Sequence, residues 1–200
     1  HASKERALCV GLPACHLWVS IYEEDEEAFT LWRALGVPED HIKRFGQKDN
    51  FWPANAPTEG PNGPCGPCSE IYFDADGTVN GPKSVEVWNL VFTQFDRQSD
   101  GSLKRLPKGH IDTGMGLERL TRVVQGVETD YETDLFAPIV KEINSHFIVG
   151  LNELQTKERS TIWTIADHLR AIAFLLSEKI VPSNEGRGYV LRMLIRRTHW

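Results

Sequence analysis

The sequence predicts an α+β fold in which a partial antiparallel sheet flanked by helices is followed by an all-helical domain. Two patterns support this prediction. The first 126 residues contain short strand-like apolar runs and a hairpin signal, and the later residues carry apolar side chains three and four positions apart. We therefore expect one domain over residues 1–128 and the start of a helical domain over residues 129–200.

The first predicted elements are a strand and a helix. Residues 17–22 alternate in the manner of a strand, and a run of acidic residues then opens a helix because negative side chains suit a helix amino terminus. The helix places Ala28, Trp32 and Leu35 on one face. A second short helical piece is predicted over residues 39–45.

The middle of the chain combines loops and strands. Residues 53–68 are rich in Pro, Gly and Asn, which predicts a long loop. The apolar run 85–95 indicates a central strand buried on both faces. An Asp-Gly pair follows and predicts a hairpin, and a further turn is expected at residues 107–108.

The last part of the chain is predicted to be helical, with helices over residues 133–147 and 160–179 and a basic amphipathic helix over residues 188–197. A basic face in an acidic protein can bind phosphates, but it can equally be a solvated helix surface. Four arginines and no acidic residue occupy the end of the chain: Arg187, Arg192, Arg196 and Arg197.

Composition excludes several classes of protein. The 200 residues are 40% hydrophobic and 25% charged, with a net charge of −6, which fits a globular domain rather than a disordered or nucleic-acid-coating chain. No apolar run is long enough for a membrane span, and no secretory signal opens the chain. We expect a cytoplasmic protein with reduced thiols, and the start at His1 suggests a piece of a longer protein.

The sequence Cys65-Gly66-Pro67-Cys68 has the spacing of a thioredoxin redox motif. A redox motif needs a helix start after a strand, whereas here a strand is expected to follow. No second cysteine pair with ligand spacing completes a zinc site, so no zinc is expected. We interpret the segment as a rigid turn.

The most specific motif is the segment over residues 111–120, Ile-Asp-Thr-Gly-Met-Gly-Leu-Glu-Arg-Leu. Gly114 and Gly116 alternate with bulky residues on one strand face, which favours a flat ligand approaching the backbone. Asp112 on the same face is suited to a cationic group, and Arg119 to a phosphate or an aromatic ring. The alternative interpretation is a Gly-rich turn with a surface arginine.

This segment closely resembles the third signature motif of the class II aminoacyl-tRNA synthetases, in the form typical of the alanine-specific family. The resemblance extends over roughly residues 17–197, in the order of that family. It includes the stretches Asn50-Phe51-Trp52, Gly63 to Glu70, Trp88 to Phe92, Tyr131 to Phe136, Ala166 to Arg170 and Ser183 to Arg192.

The resemblance implies an alanine–tRNA ligase that activates alanine with ATP to alanyl-adenylate and then transfers the alanyl group to tRNA(Ala). Asp112 would bind the alanine ammonium and Asn89 would hydrogen-bond the amino acid. Val91 and Trp52 would wall a pocket sized for one methyl group. No protein nucleophile is required, so no catalytic residue is assigned.

The resemblance also implies residues for ATP, whose triphosphate charge would be offset by Mg²⁺. The glycines would allow the adenosine to approach the backbone, and Arg119 would meet the nucleotide. The expected ATP-binding residues are Val87, Trp88, Asn89, Gly114, Gly116 and Arg119.

In the helical part, the resemblance implies contact with the acceptor stem of tRNA(Ala). Asn184 would help to read a base pair, with a helix cap as the alternative. Arg192, Arg196 and Arg197 would contact backbone phosphates. Met193 stands where the family usually has another arginine.

The first two class II motifs, which should precede residue 17, are not recognised in the sequence. We therefore expect this fragment by itself to be inactive. The alternative function is a non-catalytic tRNA-binding paralogue of the synthetase. The oligomeric state is left open.

Overall fold

The computed structural model describes residues 11–146 and 156–198. The chain divides into two compact units between Gly126 and Val127. The predicted α+β fold is confirmed, since the first unit contains a six-stranded sheet with flanking helices and the second contains helices.

The sheet of the first unit is mixed. Its strands are β1 (Leu17–Tyr22), β2 (Ile42–Phe45), β3 (Phe51–Trp52), β4 (Gly63–Asp74), β5 (Ser84–Arg97) and β6 (Leu103–Met115). They are ordered β2-β1-β4-β5-β6, and β3 pairs with β4. The pairs other than β1–β2 are antiparallel, as the sequence predicts. The pairing of β1 with β2 is parallel, which the sequence did not predict. The parallel pair requires a crossover, which a helix between the two strands provides.

That crossover is α1 (Glu26–Ala34), and α2 (Leu117–Gln125) follows β6. The amino terminus of α1 is capped because Asp25 Oδ1 accepts a hydrogen bond from the backbone N–H of Ala28 at 2.9 Å. α2 ends at Gly126, whose φ of +65° favours a residue without a Cβ atom.

The two helices and one face of the sheet enclose the main core of the first unit. Alternate strand residues point to opposite faces, so Ser20 and Glu70 lie on the face away from this core. The core contains Leu17, Val19, Ile21, Ile71 and Val87 from the strands, with Phe29 and Trp32 of α1 and Leu120 and Val123 of α2 packed against them.

Several local predictions are wrong. Residues 39–45 form one 3-10 turn, Glu39–His41, followed by β2 rather than a helical piece. Leu35 caps the end of α1 and is 76% exposed, so it does not belong to the buried face. β5 is not buried on both faces, because within this strand only Val87 is fully buried.

The predicted loop and turn also differ from the structure. β4 begins at Gly63, so Cys65 and Cys68 lie in a strand and not in the expected rigid turn. β6 continues without a turn through Pro107 and Lys108. A strand at the sheet edge tolerates proline, which has no N–H to donate to a ladder.

The second unit contains α3 (Ala137–Ser145), α4 (Thr156–Ser177) and α5 (Gly186–Arg197). Phe136, Val140, Ile162 and Ala166 form its core, beside a stacked pair of Tyr131 and Trp163 rings whose centroids are 5.0 Å apart. The predicted helix end at residue 147 lies outside the described residues. Within the described ranges, no helix combines the length and apolar character that a membrane crossing requires.

Candidate active site

The strand register brings the residues of the candidate amino-acid site into two adjacent rows. Glu70, Asn89 and Gly114 are cross-strand neighbours on β4, β5 and β6. Cys68, Val91 and Asp112 form the next row. Because residues two positions apart share a strand face, both rows lie on the face opposite the main core. Two rows therefore place an amide, a carboxylate and an apolar side chain side by side.

Among the described residues, the side-chain amide of Asn89 has a hydrogen-bond partner for its NH2 group and none for its buried oxygen. Its Nδ2 donates to Glu70 Oε1 at 3.0 Å. Its Oδ1 is buried and has no hydrogen-bond partner among the described residues. A buried acceptor without a partner is costly, so a site of this kind is suited to a ligand that brings a donor.

Asp112 lies on the exposed edge strand β6, opposite Val91. Its Oδ1 accepts from the backbone N–H of Thr113 at 2.8 Å. That bond orients the carboxylate and leaves other lone pairs for a cation, since an ionised carboxylate accepts several hydrogen bonds. The position is suited to an ammonium group.

Glu70 is a buried carboxyl that the sequence did not single out. It is 8% exposed and receives hydrogen bonds from Tyr72 at 2.5 Å and Ser20 at 3.2 Å, besides the bond from Asn89. Burial raises the pKa of Glu70, and the bond from Tyr72 opposes this shift. An acidic residue among the apolar residues of a predicted strand is the signal that could have identified it.

The two cysteines of β4 do not fit a redox pair. Both are buried free thiols within a strand. Burial raises the pKa of the Cys68 thiol to about 12, and burial also raises the pKa of Cys65. A redox-active cysteine needs a lowered pKa, so these thiols are poor nucleophiles.

Trp52 lies on β3, where it pairs with Gly66 of β4 and is 52% exposed. β4 separates β3 from β5, so Trp52 lies one strand away from Val91. The structure therefore places both proposed walls of the alanine pocket in the same sheet, without a direct strand pairing between them.

The residues expected to bind ATP are divided between two faces. Gly114 faces open space, where a Cβ atom would meet nothing within 4 Å. Gly116 is not in the strand but caps the start of α2, and its N–H donates to the carbonyl of Val87 at 3.2 Å. The side chains of Val87 and Trp88 pack on the core side of the sheet, so a nucleotide would contact these two residues through their backbone atoms.

Arg119 forms an ion pair that the sequence did not predict. Its Nη1 lies 3.0 Å from Glu86 Oε2 and 3.2 Å from the Glu86 carbonyl oxygen. The Arg119 side chain is 51% exposed, so further N–H groups remain accessible to a nucleotide. Glu86 holds the arginine beside β5.

Side chains that could ligate a metal do not cluster among the described residues. No three His, Cys, Asp or Glu side chains come together in residues 11–146 and 156–198 in a way that could hold an ion. We therefore assign no residue to magnesium or zinc.

The candidate tRNA-binding residues lie at α5. Asn184 Oδ1 accepts a hydrogen bond from Arg192 Nη1, and Asn184 is not the cap of α5, a position that Glu185 occupies without a side-chain capping bond. Arg196 and Arg197 are exposed. They line a depression of about 920 Å³ together with Tyr189, Arg192 and Met193. This surface presents positive charge beside an aromatic ring, which suits RNA.

Comparisons with known proteins identify the family of this chain. The family model described as tRNA synthetases class II (A) matches residues 6–199. A relative named alanine–tRNA ligase from Idiomarina loihiensis is 47% identical over 197 residues, which cover 93% of this chain and 22% of the relative.

Two further relatives show the same pattern. The alanine–tRNA ligase of Petrotoga mobilis is 50% identical over 94% of this chain and 22% of the relative. The chloroplastic/mitochondrial alanine–tRNA ligase of Sorghum bicolor is 46% identical over 94% of this chain and 20% of the relative. The chain thus spans about a fifth of the length of these curated relatives. Because the family match covers almost every residue, this chain belongs to the class II (A) tRNA synthetases.

Proposed function

We propose that the complete protein containing this chain is an alanine–tRNA ligase, which activates alanine with ATP and transfers it to tRNA(Ala). The observation that carries the proposal is the unpartnered buried Oδ1 of Asn89, beside Asp112 and Val91 on one sheet face. The names of the relatives support the same substrate.

In the first step, Asp112 holds the ammonium group of alanine by charge and Asn89 accepts a hydrogen bond from it. Val91 and Trp52 leave room for a methyl side chain, and larger side chains are excluded by steric clash. A carboxylate oxygen of alanine attacks the α-phosphorus of ATP, and the bond to pyrophosphate breaks. The products are alanyl-adenylate and pyrophosphate.

ATP lies along β6 and the start of α2 in this proposal. Gly114 lets the flat nucleoside approach the backbone, and Arg119 offers its guanidinium to the nucleotide. Magnesium ions that accompany ATP offset the charge of the triphosphate. This chain's residues bind and orient the reactants, and no side chain forms a covalent bond with them.

In the second step, a ribose hydroxyl at the end of tRNA(Ala) attacks the carbonyl carbon of the adenylate, and AMP leaves. Arg192, Arg196 and Arg197 contact backbone phosphates of the acceptor stem, and Asn184 contacts a base edge. In this proposal, Arg192 exchanges its bond to Asn184 for a phosphate. We place the enzyme in the cytoplasm, with an organelle as the alternative suggested by the plant relatives' names.

The proposal is tested by ATP–pyrophosphate exchange with each of the standard amino acids. The complete natural reading frame and the 200-residue chain are compared. We expect alanine-dependent exchange from the complete protein and none from the short chain, in which the first two class II motifs are not recognised. Absence of exchange from the complete protein, with tRNA binding intact, would identify a non-catalytic paralogue instead.

The role of Asp112 is tested in the same assay. Asp112→Asn removes the negative charge opposite the ammonium and is expected to raise KM for alanine about 10- to 100-fold. Asp40→Asn is the matched control, since Asp40 is exposed and precedes β2 at the opposite sheet edge. Equal KM values for the two variants would contradict the assignment of Asp112.

A further inference from the structure

The amide of Asn89 has a defined orientation because of what it faces. Glu70 Oε1 lies 3.0 Å from Asn89 Nδ2. Because Glu70 accepts hydrogen bonds from two hydroxyl groups at Oε2, its Oε1 has no hydrogen to donate and can pair only with the NH2 end of the amide. The oxygen end is therefore turned away from Glu70, and it is the end that lacks a partner among the described residues.

Glu70 is itself held in place from its other oxygen. Tyr72 donates to Oε2 at 2.5 Å and Ser20 donates to the same atom at 3.2 Å. Ser20 in turn accepts from Asn50 Nδ2 at 2.8 Å. Glu70 is only 8% exposed, so this network is shielded from water. A carboxylate that is shielded from water and held by donors at Oε2 is a rigid support for the Asn89 amide at Oε1.

From this geometry we infer that Glu70 is a positioning residue for amino-acid recognition: it turns the amide of Asn89 so that Oδ1, and not Nδ2, meets the substrate ammonium. The inference rests on the proposed function, in which Asn89 contacts alanine. Glu70 does not itself touch the substrate. Its effect is to set which end of the Asn89 amide faces the substrate.

A glutamine in place of Glu70 would reverse the orientation of the Asn89 amide. The hydroxyls of Tyr72 and Ser20 keep their bonds to the Oε2 position only if the glutamine oxygen occupies it, so we expect the glutamine oxygen there. Its NH2 group then faces Asn89, which must rotate its amide to present an oxygen. The NH2 of Asn89 would point at the substrate ammonium, where two donors cannot form a hydrogen bond.

The experiment uses alanine-dependent pyrophosphate exchange by the complete protein. Glu70→Gln is expected to raise KM for alanine about 10- to 100-fold, with little change in KM for ATP. Asn89→Asp is also expected to raise KM for alanine, because two carboxylates then face each other. The double variant Glu70→Gln/Asn89→Asp exchanges the acid and the amide between the two strands. It is expected to return KM to within about threefold of the wild-type value, a coupling that a purely structural role would not produce.

Two controls separate positioning from general damage. Tyr72→Phe removes one of the two hydroxyl donors to Glu70 Oε2 but leaves the bond to Asn89, so KM for alanine should rise clearly less than in Glu70→Gln. Glu39→Gln makes the same chemical change at an exposed position. Thermal unfolding of each variant reports on folding. If Glu70→Gln does not fold, the double variant must fold and use alanine, and its failure would overturn the inference.

A crystal structure of Glu70→Gln at better than about 1.2 Å, where amide nitrogen and oxygen can be distinguished, gives a readout independent of activity. A rotated Asn89 amide supports the inference and an unrotated one overturns it. If the wild type shows no alanine-dependent exchange, the proposed function fails, whereas a rotated amide still supports positioning by Glu70. If the wild type uses alanine and Glu70→Gln has an unchanged KM, only the inference fails.

Discussion

At the scale of single residues, the hydrogen-bond network of Asp74 is a local source of stability. Asp74 is 1% exposed, and its carboxylate accepts from Ser84 Oγ at 2.8 Å and from the N–H of Asp76 at 2.9 Å. Burial alone would raise the pKa of Asp74, but these bonds, the N–H of Thr78 and the charge of Lys83 together hold the pKa below its ordinary value of 3.8. The ionised form is therefore favoured by folding.

This network predicts a pH-dependent effect of Asp74→Asn. Because the pKa is lowered on folding, Asp74 contributes stability above its ordinary pKa, and that contribution is lost as the pH falls through the lowered value. At pH 7 we expect the variant to lose about 1–3 kcal/mol in free energy of unfolding. Urea unfolding should show a smaller difference from wild type below about pH 3. A difference that grows on acidification would contradict the assignment, and Asp40→Asn is the control.

The residue scale also shows how much of the candidate site was predictable. Alternation along β6 predicted that Asp112 and Gly114 share a face, and it is a purely local property. The partnership of Glu70 and Asn89 was not predictable in this way, because they meet through the register of two strands that are separated by a turn.

At the scale of elements, the prediction from local sequence propensity was wrong for the first part of β4. Pro64, Gly66 and Pro67 predicted a loop, yet they lie in a strand that pairs with β5 and with β3. The pairing with β5 is irregular between Cys65 and Cys68, and this shift in register accommodates residues that a regular ladder disfavours. Tertiary pairing on both sides therefore overrides the turn preference of the segment.

The close approach of the β5 backbone predicts a specific requirement for glycine at position 66. A Cβ atom on Gly66 would lie 2.0 Å from the carbonyl oxygen of Phe92 on β5. Gly66→Ala is therefore expected to lower the free energy of unfolding by about 1–3 kcal/mol, or more if the strands separate. Gly109→Ala is the matched control, since its Cβ atom would have a nearest neighbour at 4.0 Å and should change stability by less than about 0.5 kcal/mol. Equal losses in urea unfolding would refute the packing argument.

At the scale of the whole molecule, charge is distributed unevenly. The net charge is −6, but α5 exposes Arg192, Arg196 and Arg197 without an acidic residue in the helix. An RNA backbone approaching this helix would release counterions, so its binding should depend on salt. Opposite charges on the two partners also speed their encounter.

This distribution predicts how the proposed binding of tRNA depends on salt. The double variant Arg196→Ala/Arg197→Ala in the complete protein should weaken binding and reduce the slope of log K against log salt by about 2, roughly one for each lost phosphate contact. Binding titrations at several salt concentrations measure this slope. Arg33→Ala, which removes an arginine paired with Glu39 in the first unit, serves as the control and should leave the slope unaltered. An unchanged slope in the double variant would remove α5 from the RNA interface.

The sequence by itself determined the fold class, the order of most elements and the family, because alternation, helical periodicity and signature motifs are properties of neighbouring residues. Only the tertiary structure decided that β2 runs parallel to β1, that residues 63–68 form a strand and that Glu70 faces Asn89. These features depend on which strands pair and in which register. Strand register joins residues that are distant in the chain, and so it decides which donor meets which acceptor in the candidate site.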